Sequence, residues 1–391
     1  MTEQLRIGFI PLIDAAALLI AVDKGFCAAE RLDVELVREV SWSNVRDKLN
    51  IGMFDAAHLI APMAIASSLG LGHIKVPVVA PFVLSVNGNA ITVSPALHAA
   101  LSDAAEGDLH DPTVSAKALA RMVAARKQRG AAPLTFGMTF PFSTHNYQLR
   151  FWMAAGGVDP DEDVRLVVLP PPYMAENLQN GHIDACCVGT PWSSVAVSRG
   201  VAHMLHFGSE IIARGAEKVL AVQQRFADDR PDVVSRLVRA HQRAADFIAD
   251  ESKRGEVVAL LSADNRIGVD ADLIRRALAG RVKVSLEGTI RSDPNYLIVG
   301  RAGASRPDPA QAAWLYAQMV RWGQAPLSHD GLAAAKAVFR PDLYDGAFGV
   351  PARAPAGEPA DRVGAFTGPR FDPDNIEAHL AAWTIKRQPA G

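Results

Sequence analysis

Lys218, preceded by Glu217, offers a fixed positive charge and up to three N–H donors, and His145, after Ser143-Thr144, offers an imidazole at the start of an expected helix. At that end of a helix the backbone N–H groups point outward and the dipole favours negative charge. Trp42 adds an indole N–H and a flat apolar face, Asn89 an amide, and Gly189, after an apolar run, a backbone that another group can approach closely. Each has a plainer reading. A lysine beside a glutamate makes salt bridges, a histidine or tryptophan fills a core, Ser43 or Asn44 caps the helix that starts there, and Asn87-Gly88-Asn89 is a good turn sequence. Asp14, near the end of the first apolar run, either lines a cleft or caps the helix that follows.

Signals for catalysis are weak. Cys186 and Cys187 follow His182 and Asp184 but lie inside an apolar run, which is the setting of core thiols. No His/Cys cluster has zinc spacing, and no glycine-rich phosphate loop is present. The expectation is a binding protein rather than an enzyme, with no cofactor and no metal.

At 391 residues the chain is long enough for two or three compact units, and a composition 49% hydrophobic and 21% charged is that of a globular protein. The net charge of −2 gives no electrostatic reason to expect direct contact with nucleic acid. No window has the length of apolar residues that a transmembrane helix needs, so no membrane contact is expected. Met1 to Gln4 has no basic flank of the secretory kind, and Cys27, Cys186 and Cys187 cannot all pair within one chain. The localisation these features predict is cytoplasmic.

Short apolar runs alternate with helical patterns. Strands are expected at Arg6–Ile10, Leu32–Arg38 and Ala56–Ile60, with helices at Ala15–Lys24, Ser43–Ile51 and Pro62–Leu69. This alternation predicts a parallel α/β sheet whose ligand sits at the carboxyl ends of the strands. After a loop over Ala104–Thr113 a second α/β unit follows, with strands at Leu134–Met138, Arg165–Leu169 and Ile183–Val188. A strand at Lys218–Val222 resumes the first pattern, and Pro309–Arg321 reads as a late helix. The chain course predicts two lobes joined by a hinge: residues 1–103 with 213–391, the latter including a C-terminal helical extension, and residues 104–212.

Gly8-Phe9-Ile10-Pro11, Lys24-Gly25-Phe26, Ser41-Trp42, His58-Leu59-Ile60-Ala61-Pro62, Asn87-Gly88-Asn89, Thr144-His145, Pro170-Pro171-Pro172, Val188-Gly189-Thr190-Pro191-Trp192 and Glu217-Lys218 follow one another in order. Together they resemble the nitrate and bicarbonate solute-binding proteins of ABC transporters, and closer still their cytoplasmic relative, the nitrate/nitrite sensor of a bacterial two-protein antitermination system. The resemblance covers roughly residues 5–320. It implies a type II periplasmic-binding-protein fold, two-lobed with a hinge and a central cleft that closes on one planar anion. The ligand contacts it implies are Trp42, the Ser43-Asn44 backbone, Asn89, His145, Gly189 and Lys218. Bicarbonate-type members carry a carboxylate at the position matching Lys218, so a lysine implies nitrate or nitrite. Asn89 departs from the glutamine usual in nitrate transport proteins. The sensor resemblance further implies that the unliganded form grips an RNA-binding antiterminator of the ANTAR type. Two other roles remain on the same fold: the solute-binding component of a nitrate transporter, and an enzyme of the thiamine-pyrimidine or desulfurisation kind.

Overall fold

The first four strands are β1 (Glu3–Phe9), β2 (Leu32–Arg38), β3 (Ala56–Ile60) and β4 (Val78–Asn87), in a computed structural model that describes residues 2–351 and 363–387. β3 and β4 are buried along their whole length, the pattern of strands covered on both faces. The chain then crosses at Gly88 and lays down β5 (Asn89–Val93), β6 (Thr135–Met138), β7 (Arg165–Val168), β8 (Ala185–Gly189) and β9 (His203–Phe207). It returns with β10 (Ala216–Gln223) and adds β11 (Arg281–Lys283), β12 (Ile290–Ser292) and β13 (Leu297–Ile298). Among the described residues one sheet has the strand order β13-β4-β10-β3-β1-β2, a second has β7-β6-β8-β5-β9, and β11 pairs with β12 alone. Two sheets linked by two crossings make the two-lobed α/β fold, with a cleft where the lobes meet.

Asn87 and Gly88 make the first crossing with positive φ, 60° and 104°. Glycine meets no Cβ penalty there, and asparagine tolerates it better than most residues. The Asn87 side chain ties this crossing to the other: its Nδ2 donates to the Ala213 carbonyl (3.0 Å), and its Oδ1 accepts from the Gly215 N–H (3.0 Å). Both connections between the lobes are therefore held at one point.

Two expectations need correction. The lobe boundary falls at Gly88, not between residues 103 and 104, because β5 pairs with β8 and β9 of the second sheet. Sequence pattern places strands but not their partners, and β5 follows β4 after one residue. Nor are the sheets parallel throughout. β10 runs antiparallel to both β3 and β4, since it re-enters the first sheet from the far lobe, and β5 is likewise antiparallel to its neighbours.

The late helices cover the first lobe and reach the second. Pro309–Arg321 and His329–Val338 pack against Ala61–Leu69. Buried Arg321 lies 4.1 Å from the Trp383 ring and 4.6 Å from that of Trp322, and Trp383 packs edge-on against Phe151 of the second lobe (5.0 Å). Arg387 pairs with Asp159 and Asp161, so residues 363–387 strap the second lobe to the extension. The proline-rich piece Pro351–Pro359 lies, past its first residue, outside the described residues.

Candidate functional site

Where the lobes meet, polar side chains that are almost wholly buried converge. Lys218 is 0% exposed on β10, and its Nζ donates to Glu217 Oε1 (2.6 Å) and lies 3.0 Å from Asp14 Oδ2. Neighbouring residues of a regular strand point to opposite faces. The β10–β4 register shifts on either side of Lys218, and this irregularity lets Glu217 and Lys218 serve one cluster. Asp14 sits in the short turn Ile13–Ala15 that follows β1, and its other oxygen is 2.9 Å from His58 Nε2 on β3. The Lys218 ammonium lies 5.2 Å from the centre of the Trp42 ring, which also meets the His58 ring edge-on at 5.2 Å.

The second lobe supplies the other half. Ser143 caps the helix Thr144–Gly156, accepting from the Asn146 N–H, so His145 lies in the first turn facing the cleft. Thr139 Oγ1 contacts His145 Nδ1 (3.0 Å), leaving His145 Nε2 directed at Glu217 Oε1 at 3.5 Å. Asn89 Nδ2 donates to Glu217 Oε2 (2.8 Å) and Gln148 Oε1 (3.2 Å), while Thr144 Oγ1 donates to the same Glu217 oxygen. Gly189 closes the wall: a Cβ there would stand 3.4 Å from Asp14 Oδ2 and 3.6 Å from Asn89 Oδ1. The lobes are in direct contact around the cluster, with the Ile13 N–H donating to the Thr190 carbonyl (3.0 Å) and Trp192 Nε1 to the Pro11 carbonyl (3.1 Å).

Electrostatics follows from this burial. Desolvation pushes the Lys218 ammonium down, but Asp14 and Glu217 together raise it above its ordinary value. Burial alone would raise Asp14; Lys218 and His58 outweigh it and hold the carboxyl below the usual range. Desolvation lowers His58, and it lowers His145 to about 4 against the pull of Glu217, so both imidazoles are neutral near pH 7. The cluster thus contains one ammonium, two carboxylates and two neutral imidazoles. Trp42 Nε1, Asn89 Oδ1 and His145 Nε2 are buried without a hydrogen-bond partner, so hydrogen-bonding capacity remains in the cleft.

Trp42, Asn89, His145, Gly189 and Lys218 therefore meet at one place. Asn44 does not. Ser41, not Ser43 or Asn44, caps the helix Trp42–Asn50, which puts Asn44 on its exposed side, where its Nδ2 donates to Glu39 Oε2 (3.2 Å). The sequence marks Glu217 only as a partner of Lys218, which it also is, and His58 only as part of a motif. The signal for Glu217 was its place beside a lysine on an apolar strand, where a carboxylate must be paired.

The cysteines lie in the core and offer the cleft no reactive thiolate. Cys186 and Cys187 are buried, and desolvation pushes Cys186 up to about 12 and Cys187 well above its ordinary value; Cys27 is also raised to about 12, by burial and then by Glu30. A thiol reagent at pH 8 is expected to label no cysteine in the native protein and all three in denaturant, as counted by mass spectrometry. Rapid labelling of the native form would contradict the core assignment. Among the described residues no group of three or more His, Cys, Asp or Glu is arranged to hold a metal ion, and no helix is long and apolar enough to cross a membrane.

The NMT1-like family model matches residues 1–262. The nitrate/nitrite binding protein NrtA of Nostoc sp. (strain PCC 7120) is 30% identical over 399 residues, covering 99% of this chain and 87% of that protein. The bicarbonate-binding protein CmpA of Synechococcus elongatus is 29% identical over 408 residues, covering 98% of this chain and 87% of that one. The nitrate import ATP-binding protein NrtC of Synechocystis sp. is 30% identical over 388 residues, and the match spans 56% of its length, about half of that longer protein. Among solved structures, the periplasmic nitrate-binding protein NrtA from Synechocystis PCC 6803 superimposes with a TM-score of 0.87 at 27% identity, covering 98% of this chain and 99% of that one. The alkanesulfonate-binding protein SsuA from Xanthomonas axonopodis pv. citri, at 18% identity and a TM-score of 0.56, shares the fold. The chain belongs to the NMT1-like family and is similar over nearly its whole length to the NrtA- and CmpA-type binding proteins.

Proposed function

We propose that the chain is a receptor for one planar oxyanion, nitrate or nitrite, held between the two lobes. The observation that carries this reading is the convergence of donors from both lobes, Lys218 from one and Asn89, Thr144 and His145 from the other, on a water-poor point. A ligand that bridges such donors stabilises the closed form, and that differential affinity is what a receptor signals with. The names of the NrtA relatives support the choice of anion. The finer role, a cytoplasmic sensor that holds an ANTAR-type antiterminator and releases it on binding, rests on the sequence resemblance. A second reading, a bicarbonate receptor or transporter component, is favoured by one observation: the Glu217 carboxylate sits among the donors, where bicarbonate's own O–H would find an acceptor.

Calorimetric titration with nitrate, nitrite, bicarbonate and sulfate in chloride-free buffer separates these readings. Micromolar binding of nitrate or nitrite, with bicarbonate and sulfate silent, is the expected result. Binding of bicarbonate alone selects the second reading, and silence for all four removes both. The sensor role predicts that an ANTAR-type antiterminator co-elutes with the protein in gel filtration and separates when nitrate is added; co-elution unaffected by nitrate would contradict it.

A further inference from the structure

Glu217 is the group on which the cleft's donors already spend themselves. Its side chain is 1% exposed; one oxygen accepts from Lys218 Nζ (2.6 Å) and faces His145 Nε2 (3.5 Å), and the other accepts from Asn89 Nδ2 (2.8 Å) and Thr144 Oγ1. A carboxylate is a flat, delocalised oxyanion, and two of its oxygens present the same acceptor edge as two oxygens of nitrate or nitrite. These donors come from both lobes, so Glu217 already makes the lobe-bridging contacts an anion would make. Resting on the reading of this cleft as an oxyanion site, we infer that Glu217 is a built-in competitor for nitrate or nitrite, and that each anion bound brings one proton from solvent into the cluster.

Charge counting requires the proton. The groups facing Glu217 are Lys218 on its own strand, Asp14 on the turn after β1, His58 on β3, His145 on the Thr144–Gly156 helix and Cys187 on β8. Lys218 is the single cation among them, and Asp14 already shares it at 3.0 Å. An added nitrate would put three anions on one ammonium in a place water does not reach, which is costly at any low local dielectric. Asp14 and Lys218 stay charged because each is held so by the other, and the Cys187 thiol is already protonated. The proton therefore lands between Glu217 Oε1 and His145 Nε2, which face each other with the imidazole nitrogen unpartnered. The balance is simple: the anion and one proton enter, no covalent bond changes, and Glu217 gives up its donors to the anion.

The test is nitrate titration of the full chain by calorimetry in buffers of different ionisation enthalpy at pH 8, repeated from pH 7 to 9. The expected result is uptake of about one proton per anion, with affinity falling about tenfold for each unit of rising pH. Glu217→Gln keeps the shape and removes the charge. It is expected to bind nitrate at least about tenfold more tightly than the native protein at pH 8, with little dependence on pH. Nitrate binding to the native protein without proton uptake and with pH-independent affinity overturns the inference while leaving the oxyanion reading intact. A folded Glu217→Gln protein that still takes up a proton overturns the role of Glu217. Absence of binding to either protein overturns the oxyanion reading and this inference with it.

Discussion

Replacing Lys218 with alanine is expected to cost about 3–5 kcal/mol of folding stability and to abolish measurable anion binding. The ammonium is the shared partner of Asp14 and Glu217, both essentially unexposed, and its removal leaves two buried carboxylates without a cation. The sign follows from the raised ammonium. Its contribution is complete below the ordinary lysine value of 10.5 and disappears only as pH rises through the higher folded value, so the loss is full at neutral pH. Urea denaturation at pH 7.5 reads the stability, and calorimetry reads the binding. Lys218→Met, which keeps the volume, separates charge from packing: it should lose about as much as the alanine variant. Adding Glu217→Gln to Lys218→Met should recover part of the loss, since one unpaired charge goes with it. A loss below about 1 kcal/mol in both single variants would mean that water reaches the carboxylates and that the cluster is not a sealed site.

How far this cluster could be read in advance depends on what kind of information each residue carries. Trp42, His145, Gly189 and Lys218 carry chemistry that makes them candidates in the sequence, but each also has a plainer local reading, and it is the resemblance to the solute-binding proteins that selects them. Strands Leu32–Arg38 and Ala56–Ile60 and the helix Pro309–Arg321 fall where periodicity and capping put them, because these are short-range signals. Glu217 is different. In a regular strand it would point away from Lys218, and only the irregular pairing of β10 with β4, a property of two segments far apart in the chain, turns both into one cluster. The pairing of His58 with Asp14 likewise needs β3 to lie beside β1 in register, which no single-strand pattern encodes. The Asn44 side chain lies on the exposed face for a local reason: Ser41 rather than Ser43 caps the helix, and Asn44 falls in its first turn with its backbone N–H donating to Ser41 Oγ. Asn87-Gly88-Asn89 signals a turn, but a turn does not say which sheet the next strand joins; that is set by the pairing of β5 with the distant strands β8 and β9.

Acid is expected to unfold the protein by way of histidines that have no part in catalysis. Among the described residues four are fully buried: His58 and His145 in the cleft, His206 in the second lobe and His241 in the first. His206 contacts Ser115 Oγ (2.6 Å), which also accepts from Trp152 Nε1 (3.0 Å), and His241 Nδ1 meets the Leu237 carbonyl at 2.7 Å with its other nitrogen unpartnered. Burial disfavours the imidazolium at each, lowering His145 and His241 to about 4 and His206 to about 3. In the unfolded chain the same groups protonate near 6.5, so between 6.5 and 4 the unfolded state binds protons that the folded state refuses, and stability must fall as pH falls. His145, His206 and His241 are each worth on the order of 2–3 kcal/mol by pH 4, against a total of about 5–15 kcal/mol for a typical domain. Asp14 acts in a lower window: its depressed carboxyl stabilises the fold above 3.8, and that contribution is lost only as pH falls through its folded value. Urea denaturation at intervals from pH 7 to 4 should show stability falling steeply below about pH 6, with more than one proton taken up on unfolding near pH 5. His241→Gln, remote from the cleft, should shallow that slope by about one proton while leaving anion binding at pH 7.5 in place. A flat profile down to pH 4.5 would show that the buried imidazoles take up protons in the folded state as readily as in the unfolded one, and the polar interiors of both lobes would then have to be open to water.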